Sequence, residues 1–350
     1  MPSRPIILSL TTMRVEGMRL LHEAGEVRMA SALDPTTLQR EIHEADALVI
    51  RTAGEINAAL MDAAPSLRVI GRHGVGYDQV DISAATARGI QVVYTPGANT
   101  EAVAEHAIAF MIGLSKHFPQ QARKLAEGKY NERTKHVGRD LQGRTLGVIG
   151  FGKIGRRLGE IARVAFGMNV LYNDIVDPPA EAVTRAAARR VDLDELLRTA
   201  EYVSLHVPLD ASTRRMINRE TLALMRPEAI LINTCRGPVV DELAVKEALD
   251  LGRLWGFAAD VFDVEPPPLD HPLIGRDDVM LTPHSAAQTI ESLQNMAVGV
   301  ATDVVGVLHG QDPINPVNDP AEVAASRERL GKPPLNPSPW SLTLFPPAED

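Results

Sequence analysis

The sequence predicts an α/β protein of two doubly wound, parallel-sheet units, one inserted into the other. Three observations carry this expectation. Apolar runs of strand length recur along the 350 residues with helical patterns between them, as a sheet flanked by helices requires. One run, with Leu146, Val148 and Ile149, ends in a glycine string and passes straight into a helix. The alternation also breaks twice, at 96–99 and near 286–288, where the chain crosses from one unit to the other.

In chain order, 6–10 is the first strand, followed by an amphipathic segment with Met18, Leu20, Leu21 and Ala24. Asp34 and Pro35 open a helix, the carboxylate capping free amides and the proline standing where no N–H is needed. Runs at 47–50, 67–70 and 91–94 add buried strands. Gly71-Arg-His-Gly-Val-Gly-Tyr-Asp78 follows a strand and carries three glycines. Such backbone can offer N–H groups to a carboxylate, or can simply be a tight loop with positive φ values, and both readings stand.

Pro96 and Gly97 mark the first crossing, and Thr100 caps a long apolar helix over 102–118. Residues 120–143 are polar and basic without strong period, as expected of a surface excursion or an arm to a partner subunit. Then comes Gly150-Phe-Gly-Lys-Ile-Gly155. Gly150 permits the turn, Gly152 lets backbone approach a pyrophosphate, and Gly155 lets helix and strand pack closely. The next strand, 169–173, ends in Asp174, 19 positions after Gly155, where a carboxylate can accept both hydrogen bonds of an adenine ribose diol. A negative charge there repels a 2′-phosphate, so the cofactor expected is NAD, bound in a Rossmann unit.

Further strands are read at 202–207, 229–233, 256–260 and 279–282, with a short helix at Asp194 and Glu195 and another capped by Asp241. A long helix over 288–309 returns the chain to the first unit. The division expected is 1–98 with 288–319 for one unit and 99–287 for the other. From 320 to 350, seven of 31 residues are proline, which predicts an extended, poorly packed tail, either frayed or wrapping a neighbour through Trp340, Leu342, Leu344 and Phe345.

Composition narrows the function. A net charge of −9 argues against a nucleic-acid surface, and no apolar run reaches the length of a membrane span. The first residues lack a signal-peptide pattern, so a cytoplasmic protein is expected. A single cysteine, Cys235, allows no internal disulfide and no cysteine-rich metal site, and no metal is expected. At a strand end it reads as packing in preference to a nucleophile.

Three strand ends of the second unit carry reactive side chains: Asn233-Thr-Cys-Arg236, Asp260-Val-Phe-Asp-Val-Glu265 and Thr282-Pro-His284. Strand carboxyl ends converge on one crevice, so all three can face one substrate. A histidine beside a glutamate is an acid/base whose charged form the carboxylate stabilises, and an arginine is a bidentate clamp for a substrate carboxylate. Among ten histidines, His206 is the rival, since it too follows a strand, although Val207 and Pro208 after it suggest an apolar wall for the cofactor.

These blocks, in this order and spacing over 6–317, resemble the D-2-hydroxyacid dehydrogenases. The resemblance implies a Rossmann NAD domain inserted into a flavodoxin-like substrate domain, and a homodimer formed through the helix after Thr100. It implies a catalytic trio of Arg236, Glu265 and His284, and cofactor contacts from Gly150, Gly152, Lys153, Ile154, Gly155, Asp174, His206, Val207, Pro208, Thr234, Cys235, Asp260 and His284. Asp260 matches the residue that holds the nicotinamide carboxamide. Val75 and Gly76 match backbone donors to the substrate carboxylate, and Asn99 and Thr100 match the hinge; Arg51, His73 and Asn99 are further candidates for substrate contact. His73 stands where the family often has a small residue. The implied reaction is NAD-dependent interconversion of a D-2-hydroxy acid and its 2-keto acid, with closure at the hinges excluding water. Two other readings are an NAD-sensing corepressor-like protein, which would need no acid/base pair, and a phosphite or formate dehydrogenase. Glu265 argues against formate chemistry, where the family carries Gln.

Overall fold

The computed structural model describes residues 4–52 and 54–335. Its residues fall into two compact units, one of the described residues up to Asn99 together with those from Ile290 onward, the other running from Thr100 to Thr289.

The first unit holds β1 (Ile6–Ser9), β2 (Glu26–Met29), β3 (Ala47–Ile50), β4 (Val69–Arg72) and β5 (Gln91–Val93). The order is β2-β1-β3-β4-β5 with every pair parallel, a doubly wound sheet of the flavodoxin kind. β3, β4 and β5 are buried at every position because helices cover both faces, so their sequences read as mostly apolar runs, with Arg72 and Gln91 the buried polar exceptions. β2 departs from the expected strand list. As an edge strand with Glu26 and Met29 exposed it buries too little to leave an apolar signal. One face packs on the helix Ile290–Leu308, where Val300 and Val304 press so closely on β4 that a Cβ on Gly71 would stand 2.5 Å from Val304 Cγ2.

The tail expectation needs correction within the described residues. Pro320–Arg329 is a helix, not extended chain. Asp319 caps it by accepting from Ala321 N, and Pro320 falls at its start, where proline is tolerated. Val323 is fully buried, and Arg327, also buried, donates to the carbonyl oxygens of Gly89 and Pro333. Proline count misled because Pro320 starts a helix and the next prolines come after it. Trp340, Leu342, Leu344 and Phe345 lie outside the described residues.

The second unit holds β6 (Thr145–Ile149), β7 (Asn169–Asn173), β8 (Arg189–Arg190), β9 (Tyr202–Leu205), β10 (Ile230–Asn233), β11 (Gly256–Ala259) and β12 (Val279–Leu281). The order is β12-β11-β10-β9-β6-β7-β8, again all parallel. From β6 the chain builds outward first through β7 and then, in the other direction, through β9, so the crevice of this sheet lies at the carboxyl ends of β6 and β9. β8, two exposed arginines at the sheet edge, gives no apolar signal either. The helix expected over 102–118 ends at Ser115, and a second begins at Phe118 after His117 takes a left-handed conformation, φ +54°. Pro119 lacks the N–H a helix interior needs, so the chain restarts. The segment read as a periodless excursion thus begins with the helix Phe118–Ala126 and includes a 3₁₀ turn, Tyr130–Lys135.

Candidate active site

In the second unit each candidate group stands within a few residues of a strand's carboxyl end. Gly150 follows β6 with φ +88°, and a Cβ there would lie 2.5 Å from the His206 carbonyl oxygen. Gly155 passes so near the loop that its Cβ would meet Gly150 O at 2.2 Å. Around Gly152 the reverse holds, since a Cβ placed there would have no atom within 4 Å. Gly152 is also the N-cap of Lys153–Phe166, and no side chain caps that helix. A helix start that its N-cap side chain cannot cap, above an open glycine, fits a pyrophosphate. Lys153 and Ile154 form the first turn.

Asp174 follows β7. Its Oδ2 accepts from Phe151 N at 2.5 Å and its Oδ1 from Val176 N at 2.9 Å, which ties this carboxylate to the glycine loop. Each oxygen keeps a second lone pair. His206 follows β9, its Nε2 2.8 Å from Ser204 Oγ, and burial pushes its imidazole down to about 3. Its ring partner is a serine hydroxyl, where His284 has a carboxylate. Val207 packs beside Gly150, and Pro208 is exposed. After β10, the buried Thr234 Oγ1 has no hydrogen-bond partner among the described residues, an orphan consistent with a polar ligand. Burial raises the Cys235 thiol to about 11, so it stays protonated, and its Sγ lies 3.1 Å from Asn233 Oδ1.

The Arg236 turn is shaped by Asn233, which is 1% exposed. Asn233 Oδ1 accepts from Cys235 N at 3.1 Å, and its Nδ2 donates to Arg236 O at 2.9 Å. Arg236 Nη1 donates to Cys235 O at 2.6 Å. Next comes Gly237, where a Cβ would fall 1.9 Å from Phe262 C and O, so only glycine lets this loop meet the one carrying Glu265. Glu265 Oε1 accepts from Phe262 N at 3.1 Å, and Oε2 stands 2.7 Å from His284 Nδ1. Partial burial pushes the Glu265 carboxyl up, but the bond and charge of His284, the Phe262 amide and the Arg236 charge outweigh it and hold the group below its ordinary range. With Nδ1 held by the carboxylate, Nε2 is the ring nitrogen that can exchange a proton.

His284 has φ +51°, a left-handed conformation that costs a non-glycine residue energy. Asp260, 1% exposed, holds it there. Its Oδ1 accepts from Thr282 Oγ1 at 2.5 Å and Ser285 N at 2.7 Å, its Oδ2 accepts from Ala286 N at 2.8 Å, and its carbonyl accepts from His284 N at 2.7 Å. Sequence reasoning missed this service of Asp260 and that of Asn233. Both residues stand in the quoted strings, but nothing in a string says which amide a side chain will accept from. Glu242 was missed as well: it accepts from Asp263 N at 3.3 Å and meets His271 Nε2 at 3.0 Å, bracing the Glu265 loop.

The remaining candidates belong to the first unit. Arg51 follows β3 and is half-buried, which lowers its guanidinium from the ordinary value. His73 follows β4 at 1% exposure, and neither ring nitrogen has a partner among the described residues. Burial, then the charges of Arg51 and Arg72, bring its imidazole down to about 4. Arg72 donates to Gly76 O at 2.6 Å and His73 O at 2.5 Å, fixing the loop with the half-buried Val75 and Gly76. Asn99 lies in the chain that follows β5. It is the last residue before the second unit, its Oδ1 buried without a partner among the described residues.

The family model for the D-isomer specific 2-hydroxyacid dehydrogenase NAD binding domain matches residues 108–286. The D-3-phosphoglycerate dehydrogenase of Methanocaldococcus jannaschii is 39% identical over 326 residues, 93% of this chain and 61% of that protein. The hydroxypyruvate reductase of Thermotoga maritima is 38% identical over 286 residues, 81% of this chain and 92% of its own. Among solved structures, the D-lactate dehydrogenase of Aquifex aeolicus complexed with NAD and lactic acid matches with a TM-score of 0.78 at 28% identity, covering 87% of this chain and 96% of that one. The chain belongs to the D-isomer specific 2-hydroxyacid dehydrogenase family, and its second unit is the family's NAD-binding domain. It spans 50% to 61% of the length of three curated relatives named as D-3-phosphoglycerate dehydrogenases.

Proposed function

We propose that the protein is an NAD-dependent oxidoreductase that interconverts a D-2-hydroxy acid and its 2-keto acid. The observation that carries this reading is the 2.7 Å pair between Glu265 and His284, with the Arg236 charge acting on the same carboxylate. NAD, when bound, supplies the redox chemistry at nicotinamide C4. The residues of the chain supply the rest. His284 Nε2 gives a proton to the ketone oxygen in reduction and takes one from the hydroxyl in oxidation, while Glu265 fixes the ring through Nδ1. Arg236 orients the substrate carboxylate and polarises the adjacent carbonyl, where charge develops. Backbone N–H groups of Val75 and Gly76, with Arg51 and His73 nearby in the same unit, are assigned to substrate recognition.

The glycine loop, Asp174, 206–208 and 234–235 are assigned to the nucleotide. Asp260 is assigned to the nicotinamide carboxamide as well as to the turn it holds. We also assign a homodimer formed through Thr100–Ser115 and the segment after it, where Phe118, Leu125, Tyr130 and Val137 are exposed apolar side chains, and a cytoplasmic location. Among the described residues no helix is long and apolar enough to cross a membrane.

The test is His284→Ala. Turnover of 2-keto acid with NADH is expected to fall by roughly 10²–10⁴-fold while NADH binding, followed by fluorescence titration, is retained. Turnover within about two-fold of wild type removes His284 from the mechanism.

A further inference from the structure

The turn that presents His284 is held by Asp260, and one of the groups tying it there is itself held from elsewhere in the fold. Thr282 Oγ1 lies 2.5 Å from Asp260 Oδ1 and 2.9 Å from His106 Nε2. A hydroxyl has one hydrogen, and the carboxylate, which only accepts, takes it. The contact with His106 therefore runs the other way, Nε2–H donating to the threonine oxygen. His106 comes from Thr100–Ser115, distant in sequence, and its ring is steadied edge-on against Phe110, centroids 4.5 Å apart at 83°. Only Pro283 separates Thr282 from His284.

We propose that His106 is a positioning residue for His284, acting through the Thr282 hydroxyl and the Asp260 carboxylate. The donor from His106 fixes the rotor of Thr282, so that its hydrogen points at Asp260. Asp260 then keeps one arrangement while it binds the amides of Ser285 and Ala286 on the far side of His284. The left-handed backbone of His284 persists only while its surroundings over-determine it, and the His106 bond is one of those constraints. Burial keeps the His106 imidazole below its ordinary range despite the Asp260 charge, so the ring is neutral and carries its one hydrogen on Nε2.

The inference rests on the function proposed above, and the experiment separates the two. His106→Leu removes the donor, His106→Gln replaces it with an amide N–H at a similar reach, and Thr282→Val removes the acceptor. In each variant the single-turnover rate of NADH oxidation by a 2-keto acid, the isotope effect with NADH deuterated at the transferred position, and the NADH dissociation constant are measured. His106→Leu is expected to slow the single turnover by roughly 10- to 100-fold and to raise the isotope effect, with NADH affinity within about two-fold of wild type. His106→Gln is expected to recover most of the rate. Combining His106→Leu with Thr282→Val is expected to cost little more than either alone, because both break one chain. A His106→Leu rate within about two-fold of wild type, equal losses in the Leu and Gln variants, or additive effects with Thr282→Val each overturn the inference. Wild type inert towards every keto acid overturns it together with the proposed function. An active wild type crippled by His284→Ala but indifferent to His106→Leu overturns it alone.

Discussion

Imidazoles in this fold take opposite parts depending on what stands beside them. His284 has a carboxylate at 2.7 Å, whereas the buried His73 and the half-buried His206 have none and are held down to about 4 and about 3. A buried neutral histidine makes a prediction about acid stability. His73 has a folded value below its unfolded 6.5, so above pH 6.5 neither state binds its proton and no difference arises. As pH falls below 6.5 the unfolded chain binds a proton that the folded one refuses, and stability drops by up to about 1.4 kcal/mol per pH unit until about pH 4. Urea unfolding is expected to show His73→Asn losing roughly 2 kcal/mol less than wild type between pH 6.5 and 5, and parallel losses would contradict the assignment. At Asp174, replacement by Ala removes both the Phe151 amide's acceptor and the charge proposed to meet the ribose. NADH affinity should weaken by roughly ten-fold or more and the NAD over NADP preference should narrow, and an unchanged preference would count against the ribose assignment. The reactive trio was legible because its residue types follow apolar runs. Asn233 and Asp260 as holders of those side chains were not, since they accept from backbone amides that no residue type announces, and neither was Thr282, whose partners Asp260 and His106 lie far off in the chain.

Elements were legible in proportion to what they bury. β3, β4, β9, β10 and β11, buried at every position, leave short, mostly apolar runs broken only by the buried Arg72, Ser204 and Asn233, while the edge strands β2 and β8 expose charge and leave none. Proline misled in both directions, stopping the helix expected over 102–118 yet opening Pro320–Arg329 where an extended tail was expected. Contacts between loops depend on backbone approach and cannot be read from pattern at all. The crossing of Gly237 with Phe262 is the one on which the site depends most, because it brings the Arg236 turn to the loop of Glu265. Gly237→Ala must push these loops apart. Activity is expected to fall at least ten-fold, with about 1–3 kcal/mol of stability lost to overpacking and the uncapped nucleotide helix untouched. Full activity in that variant would show that Arg236 and Glu265 need not be neighbours.

At the scale of the whole molecule, one chain builds two parallel sheets by inserting the second unit between Asn99 and Ile290 of the first. Both sheets put their candidate residues just past strand carboxyl ends, at Arg51 and His73 in one and at Gly150, Asp174, His206, Thr234, Asp260 and Thr282 in the other. The glycine string and the spacing to Asp174 made the inserted unit legible, because phosphate and ribose demand particular backbone and charge at fixed distances. Substrate identity was not legible, because it depends on side chains such as Arg51 and His73 whose ligand partners leave no periodic mark. The central claim is that His284, Glu265 and Arg236 form a working acid/base and clamp. The most direct measurement is NADH oxidation by the purified protein across glyoxylate, hydroxypyruvate, pyruvate, phosphohydroxypyruvate and bulkier 2-keto acids, with chiral analysis of the product. Turnover is expected with at least one of them and, where C2 is a stereocentre, a D-configured product. Tight NADH binding with no turnover on any, or an L-configured product, would contradict it.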